Sequence, residues 1–596
     1  MTMRFVFPAL PWALLPLAFL ACQSGKNIEP VVAPIAVMEQ PDLAAFTEQQ
    51  RLRGSVTPER SWWNLLHYDL TVQINPEAKS IEGKNIIRFV TKESGKTMQL
   101  DLQEGLEITQ VLYRGAPLEF ERNGNVYLVH FGWTLGHGLR DEIEVSFGGT
   151  PTESKNPPWS GGLSWKTDEQ GRPWIATTCQ GIGASIWWPN KDHGYDEPDQ
   201  GIDVTLIVPA GLTAVSNGRL MGIEQDIVGG LDHFHWRVTQ PINNYSVNAN
   251  IGHYVHMDGK FKGEGGTLDT QYWVLDYERE LAEEQFKQAP MTLEAFEYWF
   301  GKYPFYEDSY KLVSVPYLGM EHQSSVTYGN GFKNGYRGRD LSRTGVGKLF
   351  DYIIIHESAH EWWGNNVSMR DSADMWIHES FGTYAENLYV EYHFGEEKAQ
   401  DYVIGLRRGI RNDKPIIGIY GVNESGSGDM YPKGANILHT LRHALGNTER
   451  WREILRGISA EFWHKTITTE QMETFLAKET GLDLGPFFDQ YLRTAAIPVL
   501  KYRPTADGGS VDVWFENVVP GFHLPVLLRV NGEELRMDVA AYSQAIPLHG
   551  PFESLELDRN FYMTCEQAAE TAPDSVEVPI RSGVRRSGSR AVNGSA

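Results

Sequence analysis

The first folded part of the chain alternates apolar and polar residues with the two-residue period of β-strands. Leu70, Val72 and Ile74 alternate with polar neighbours, and a later apolar run ends at Pro209. Side chains that alternate in this way lie on one face of a strand, and Gly and Asn between the runs supply turns. The pattern predicts an all-β domain over residues 61–255.

Beyond residue 276, apolar and charged residues recur at helical spacing. Helices are predicted over 277–288, 291–300, 344–364, 374–393, 432–446 and 467–494. One strand, from Tyr310 to Val315, interrupts them and ends at Pro316. The sequence therefore predicts an α-rich domain over residues 256–495.

The strand pattern returns after Pro498, for example from Val511 to Phe515. Asn531-Gly532 separates two further apolar runs and suits a type I′ hairpin turn. We expect a small β-domain over residues 496–565. Residues 566–596 are rich in Ser, Gly, Arg and Glu, which predicts a disordered tail. Together these segments predict a multidomain α+β protein.

The N-terminus has the pattern of an export signal. Arg4 precedes an apolar run that stops at Cys22, and three prolines inside this run disfavour a stable helix. We interpret residues 1–21 as a signal peptide and 22–60 as a tether. Cys22 follows a small residue and is similar to the lipidation cysteine of bacterial lipoproteins. This implies an exported protein of the cell envelope, lipid-anchored to the periplasmic or surface side of a bacterial membrane.

Charge and cysteine content exclude several classes of protein. A formal net charge of -24 repels phosphate backbones, so nucleic acid is not an expected partner. Only Cys179 and Cys565 remain if Cys22 carries lipid, too few for a disulfide framework. No Walker sequence appears. The sequence does not indicate an oligomeric state.

His356-Glu357-Ser358-Ala359-His360 lies in a predicted helix, where four-residue spacing places both imidazoles on one face. Glu379 follows on a second predicted helix. Two imidazoles and one carboxylate give three ligands for one ion and leave a fourth position for water, the arrangement of catalytic zinc sites. The set favours Zn²⁺ over Ca²⁺ or Mg²⁺, although iron uses similar ligands.

Two more carboxylates lie close to these predicted ligands. Glu357 points away from the two histidines and can take a proton from the water that attacks a carbonyl. Glu386 follows Glu379 by seven residues, on the same helical face. It can accept a hydrogen bond from the free nitrogen of a ligand histidine, or it can be a surface charge.

These residues and their surroundings resemble the aminopeptidase N family of zinc gluzincins, which includes leukotriene hydrolase. Leu318-Gly319-Met320-Glu321-His322 is similar to the Gly-Ala-Met-Glu-Asn loop of that family. The resemblance extends to 178–180, 214–218, 363–365, 376–384, 431–435 and 487–491. It implies a saddle-like N-terminal β-domain, a thermolysin-like α-rich catalytic domain and a small C-terminal β-sandwich.

The resemblance also implies a reaction and the residues that perform it. The family hydrolyses the N-terminal bond of peptides with free N-termini, with one zinc ion. Glu321 would bind the substrate α-amine with help from Gln180, beside Gly319 and Met320. Tyr431 would stabilise the oxyanion, and Glu357 would act as the general base.

The sequence departs from the family pattern at two positions and leaves two alternative functions open. His322 and His378 stand where the family usually has Asn, which affects specificity or pH response rather than reaction type. A thermolysin-like endopeptidase would share the metal site but would not need Glu321. A catalytically inactive, surface-tethered binding protein is the other alternative, although Glu357 and Tyr431 are both present. The preference for the first substrate residue is not determined.

Overall fold

A computed structural model describes residues 33–569 of the chain. The predicted signal peptide (1–21), Cys22 and all but the first residues of the predicted tail lie outside the described residues. Within 33–569, none of the helices combines the length and the apolar character needed to cross a lipid bilayer. Cys179 and Cys565 are both free thiols.

Three β-sheets form the N-terminal region. The strands are β1 Trp63–Asn75, β2 Ser80–Thr91, β3 Gly95–Asp101, β4 Leu106–Tyr113, β5 Ala116–Pro117, β6 Glu119–Asn123, β7 Val126–Leu135, β8 Arg140–Gly149, β9 Gly162–Thr167, β10 Pro173–Thr178, β11 Ile202–Pro209, β12 Thr213–Val215, β13 Arg219–Asp226, β14 Leu231–Val238 and β15 Asn250–Gly252. The largest sheet has the order β13-β14-β11-β1-β2-β8-β4-β5. Leu70, Val72 and Ile74 are buried, as their alternation predicts.

Residues 33–61 differ from the predicted tether. They contain two short helices, α1 Glu48–Gly54 and α2 Pro58–Ser61. The backbone N–H of Ile35 donates to the carbonyl of Val518 at 2.9 Å. The described part of the tether segment is therefore packed on the folded domains, because its backbone groups find partners there.

The middle of the chain begins with strands and continues with helices. The strands are β16 Tyr254–Gly263, β17 Gly266–Leu275, β18 Tyr310–Ser314, β19 Gly319–Met320, β20 Val326–Tyr328, β21 Val367–Met369 and β22 Lys465–Ile467. The helices are α3 Arg279–Gln285, α4 Gln288–Phe300, α5 Tyr352–Ala359, α6 Trp376–Phe394, α7 Glu396–Leu406, α8 Pro432–Leu445, α9 Thr448–Glu461, α10 Thr469–Thr480 and α11 Gly485–Leu492. The first five strands form one sheet in the order β16-β17-β18-β20-β19.

Local backbone chemistry explains where helices depart from the prediction. Helix α5 begins later than predicted because the Asp351 side chain caps it, accepting from the N–H groups of Ile353 and Ile354. Gly481, with φ of 70°, ends α10, so the region predicted as one helix forms α10 and α11. The sequence analysis missed α7 and α9.

The C-terminal region is a small β-sandwich. Its strands are β23 Val499–Pro504, β24 Ser510–Glu516, β25 His523–Val530, β26 Glu533–Ala540, β27 Gln544–Pro547, β28 Leu555–Leu557 and β29 Thr564–Gln567. They form sheets in the orders β27-β24-β23-β29 and β26-β25-β28. Asn531 and Gly532 join β25 to β26 with φ of 49° and 85°, which confirms the predicted hairpin turn.

Two hydrophobic cores hold these regions together. One core runs from the helices into the C-terminal sandwich, so these two regions share buried apolar residues. The other fills the N-terminal sheets and includes Tyr317 and Met320 at the edge of the α-rich region. The site residues described below lie where the N-terminal and α-rich regions meet.

Candidate metal centre

Helices α5 and α6 bring the three predicted metal ligands together. His356 lies in α5, His360 directly follows its last residue, and Glu379 lies in the first turn of α6. One ligand atom from each residue lies within 4.8 Å of the other two. The imidazole Nε2 atoms are 3.4 Å apart, and Glu379 Oε2 is 3.7 Å from His356 and 3.5 Å from His360.

The cluster has the chemistry of a metal site rather than of a satisfied hydrogen-bond network. Glu379 Oε2 is buried and accepts no hydrogen bond from any residue in 33–569. A buried polar atom without a partner is costly, and a cation would satisfy it together with the two imidazoles. Burial alone would raise the pKa of Glu379, but its interactions with His360 and His356 lower it to about 2. The carboxylate is therefore anionic and suited to ligate a cation.

Each imidazole is fixed by a second contact. His356 Nδ1 lies 2.7 Å from Glu386 Oε1, and the Tyr402 hydroxyl donates to Glu386 Oε2 at 2.5 Å. His360 Nδ1 donates to the carbonyl of Trp363 at 2.8 Å. These contacts place the proton on Nδ1 and leave Nε2 free for a cation. The Glu386 contact agrees with the first of the two predicted roles.

Glu357 lies beside the ligand cluster with its side chain almost fully buried. Burial raises the pKa of its carboxyl to about 8, although the neighbouring His356 opposes the shift. A carboxyl with a raised pKa can exchange a proton near neutral pH. Gly319 leaves room for it, because a Cβ there would lie 3.3 Å from Glu357 Cγ and 2.6 Å from Ile353.

A second buried carboxylate, Glu321, lies on the Glu379 side of the cluster. Gln180 Nε2 donates to Glu321 Oε1 at 2.5 Å and to Glu379 Oε1 at 3.1 Å. The hydroxyl of Tyr245 also donates to Glu321 Oε1, at 3.2 Å. Burial raises the pKa of Glu321, the interaction with His360 opposes this shift, and the negative charge of Glu379 raises the pKa further.

Tyr431 lies next to His356 and close to Glu379. It precedes Pro432 at the start of α8, and its ring centroid is 6.0 Å from that of His356. Burial and the charges of Glu379 and Glu321 raise the pKa of its phenol well above the usual value. The hydroxyl therefore remains protonated and can donate a hydrogen bond.

His322 and His378, the two residues that depart from the family pattern, are buried and do not line the cavity next to the ligand cluster. Burial lowers the pKa of both His322 and His378 to about 3, so both rings are neutral. His378 Nε2 accepts from the N–H of Met369 at 2.8 Å, and His322 Nδ1 lies 3.3 Å from the Thr327 hydroxyl. Both histidines therefore act as neutral buried side chains.

An open cavity of about 340 Å³ is lined by the three predicted ligands together with Gln180, Glu321, Glu357 and Tyr431. Its other walls come from Pro158, Trp159, Leu318, Gly319, Met320, Tyr336, Tyr352 and Ile353. The structure thus brings together all predicted site residues, from Gln180 in the N-terminal region to Tyr431 immediately before α8.

Sequence reasoning missed several residues at the site. Tyr245 lies 76 positions before Glu321, so no local pattern connects them. Tyr402 contacts Glu386 from α7, a helix that was not predicted. Gly382 follows Glu379 by three residues, and this spacing could have indicated that it faces the ligands. A Cβ at Gly382 would lie 2.9 Å from Cε1 of His360.

Comparison with known proteins shows which family the α-rich region resembles. Residues 284–491, which include both ligand helices, match the model of the Peptidase family M1 domain. This stretch of the chain therefore carries a Peptidase family M1 domain. It is 23% identical to aminopeptidase N of Lactobacillus helveticus over 74% of this chain and 52% of that protein. It is 24% identical to mouse aminopeptidase B over 75% of this chain and 71% of that protein.

The curated relatives that the chain matches differ from it in length. The chain spans about half the length of several curated relatives, such as 48% of aminopeptidase 2 of Candida albicans. An M1 zinc metallopeptidase from Deinococcus radiodurans shares its fold, with a TM-score of 0.61 and 21% identity. The match covers 73% of this chain and 93% of that structure. A mutant of the Deinococcus protein has been solved with a Tyr-Ser-Ala substrate.

Proposed function

We propose that the chain is a zinc-dependent aminopeptidase that hydrolyses the N-terminal bond of peptides. The observation that carries this proposal is the position of Glu321. The side chain of Gln180 connects the Glu321 carboxylate to the proposed ligand Glu379, because it donates a hydrogen bond to each of them. An amine held by Glu321 lies close to the cluster, so only the first peptide bond can reach it.

The metal is proposed from the donor set and from the family. His356, His360 and Glu379 would hold one Zn²⁺ ion and leave a fourth position open. When bound, zinc supplies Lewis acidity that activates water and polarises the peptide carbonyl. Glu386 and the carbonyl of Trp363 would keep both imidazoles in the ligating tautomer.

The remaining residues would move protons and stabilise charge. Glu357 accepts a proton from the attacking water and passes it to the leaving amine, a role that its raised pKa favours. Tyr431 donates its phenolic hydrogen to the oxyanion as the tetrahedral intermediate forms. Glu321 and the side-chain oxygen of Gln180 bind the α-ammonium of the substrate.

The test compares a leucyl peptide with its N-acetylated form, using purified protein depleted of metal by a chelator and then given Zn²⁺. We expect zinc-dependent release of leucine from the free peptide only. Cleavage of the acetylated peptide at comparable rates would indicate an endopeptidase instead. No zinc-dependent release from any unblocked peptide would contradict the proposal and favour a binding protein.

We also propose that the protein is exported and anchored through lipid on Cys22. The support is the sequence: a basic residue, an apolar run and a cysteine after a small residue. Labelling bacterial cells that express the full chain with a fatty-acid probe tests this proposal. The wild-type protein should carry the probe in the membrane fraction. Equal labelling of the Cys22→Ser variant would contradict lipidation at this residue.

A further inference from the structure

A short segment near the catalytic cavity is basic, whereas the chain as a whole is acidic. Residues 333–348, which we call the basic loop, contain one acidic residue, Asp340, while the whole protein has a formal net charge of -24. All five basic side chains of the loop are exposed. They are Lys333, Arg337, Arg339, Arg343 and Lys348.

The charges of the basic loop are not neutralised by the protein. Among residues 33–569, no carboxylate lies within 4.0 Å of any of the five basic groups. The carboxylate of Asp340, the one acidic residue of the loop, instead accepts hydrogen bonds from the Ser342 hydroxyl and the N–H of Gly345. Five exposed bases within sixteen residues form a cluster of positive charge in a strongly acidic protein, and such a cluster attracts an anion from outside.

The loop is fixed to the wall of the catalytic cavity. Tyr336 lines the cavity, and Arg337 and Gly338 form a two-residue turn with φ of 50° and 81°. This turn is closed by hydrogen bonds of 2.8 Å and 3.1 Å between the backbones of Tyr336 and Arg339. The Arg339 guanidinium lies 5.7 Å from the centroid of the Tyr336 ring. Arg339 therefore keeps a defined position relative to the cavity.

A row of rings connects Arg339 to the proposed metal ligands. The ring centroids of Tyr336 and Tyr352 are 5.3 Å apart, and Tyr352 stacks on His356 at 5.1 Å. Extended peptide covers about 3.3–3.6 Å per residue, so about four to five residues cover this path. The basic loop is thus within reach of a short peptide whose first carbonyl lies at the ligand cluster.

The site also has a direction. Glu321 and Gln180 border Glu379, whereas the tyrosine row borders His356. A peptide that places its amine at Glu321 and its carbonyl at the cluster extends its remaining residues past His356 and Tyr352. The downstream residues of the peptide then extend toward the basic loop.

We propose that the basic loop binds a carboxylate of the substrate, carried within about five residues of the N-terminus. The preferred substrates are then short peptides with a free C-terminus, or peptides with an acidic side chain at that distance. This inference rests on the proposed function. The buried carboxylates at the cluster repel such anionic peptides, and the basic loop offsets this repulsion along their path.

The test measures KM for matched peptides at low salt. One pair is Leu-Ala-Ala-Ala with a free or an amidated C-terminus, and the other carries Glu or Gln at the fourth position of an amidated pentapeptide. Exposed ion pairs are individually weak, so we expect a KM about three- to tenfold lower for the anionic member of a pair, with similar kcat. Adding 0.5 M NaCl should reduce the difference because salt screens exposed charges.

The two peptide pairs distinguish between the two possible carboxylates. A preference in the first pair only assigns the C-terminal carboxylate as the ligand, and a preference in the second pair assigns an acidic side chain.

The variants separate the loop from the catalytic centre. The double substitution Arg337→Gln and Arg339→Gln should abolish the preference for the anionic peptide. A second double variant, Arg337→Gln with Arg339→Lys, keeps the charge at position 339 and should retain most of the preference. Arg408→Gln is the matched control, because it removes an exposed charge outside the cavity lining and should keep the preference. Each KM is compared with that for leucyl p-nitroanilide, which has no downstream carboxylate.

Two outcomes would overturn the inference. Equal KM values within both wild-type peptide pairs would exclude carboxylate recognition. An unchanged preference in the double variant would exclude the turn of Arg337 to Arg339, the part of the basic loop next to the cavity residue Tyr336, as its source. Failure of the proposed function has a different signature, because leucyl p-nitroanilide itself would then not be hydrolysed.

Discussion

Glu386 determines which nitrogen of His356 faces the proposed metal. Its carboxylate lies 2.7 Å from Nδ1 and is itself held by Tyr402. With the proton fixed on Nδ1, the Nε2 lone pair is directed at the ligand cluster. A residue that touches neither substrate nor metal thus contributes to the affinity for the ion.

The Glu386→Gln substitution tests this contribution. The amide removes the negative charge that orients His356, so we expect zinc affinity to fall about 10- to 100-fold while the fold is retained. Competition with a chromophoric zinc chelator measures the affinity directly. Glu397→Gln, an exposed carboxylate on α7, is the control and should bind zinc like the wild type. Unchanged affinity in Glu386→Gln would mean that Trp363 and packing alone orient the ligands.

Glu197 provides a residue-scale test of pH dependence away from the metal ligands. Burial raises the pKa of this carboxyl to about 8, from an ordinary value near 4.5, and only Asn243 and Ser368 oppose the shift. Between these values the folded protein retains a proton that the unfolded chain releases, so this group lowers stability as pH rises from 4.5 to 8.

The Glu197→Gln substitution should remove that loss, because the amide mimics the protonated carboxyl. Urea unfolding at pH 5 and pH 8 measures the effect. The wild type should lose more stability than the variant between the two pH values. An equal or smaller loss in the wild type would show that Glu197 is ionised in the folded protein.

At the scale of elements, the site depends on how closely α5 and α6 approach. Gly382 lies on α6 one turn after Glu379, directly against the ring of His360 from the α5 segment. Glycine in a helix interior normally costs stability relative to alanine. Its presence here is explained by the imidazole, which occupies the space that a side chain would need.

The Gly382→Ala substitution should therefore disturb the metal site despite favouring the helix. The added Cβ would lie 2.9 Å from His360 Cε1 and 3.1 Å from Nε2, so the ring must move away from its ligating position. We expect zinc content per protein to fall at least about tenfold. Gly485→Ala is the control and should retain zinc, because a Cβ at the start of α11 would meet only Asp483 Oδ1, at an ordinary contact distance of 3.8 Å. Full zinc occupancy in Gly382→Ala would show that α6 can shift to accommodate the methyl group.

At the scale of the whole molecule, residues 33–61 connect regions that are distant in sequence. Ile35 bonds to the backbone of the C-terminal sandwich, and Gln40 donates to the carbonyl of Gly418 at 3.0 Å. Farther along, Arg60 is fully buried and reaches both oxygens of Asp101 at 2.7 Å. The segment therefore contributes to the stability of all three regions.

Truncation tests this whole-molecule role. Removing residues 1–46 deletes the contacts of Ile35 and Gln40, each hydrogen bond being worth about 1 kcal/mol, and should lower the unfolding temperature by at least about 3 °C. Removing only 1–32 keeps every described contact and is the control. Equal unfolding temperatures for the two truncations, measured by calorimetry, would show that residues 33–46 contribute no net stability.

Local patterns in the sequence were enough to predict the class of each region, the candidate metal ligands and the family resemblance. Periodicity of two or 3.6 residues reports which face of a strand or helix is buried, and His356 and His360 are close in sequence, so local rules suffice. Tertiary structure alone decided the contact of Tyr245 with Glu321, the packing of residues 33–61 and the row of rings from Arg339 to His356. These contacts join residues whose separation along the chain carries no periodic signal, and only the packing of whole elements brings them together.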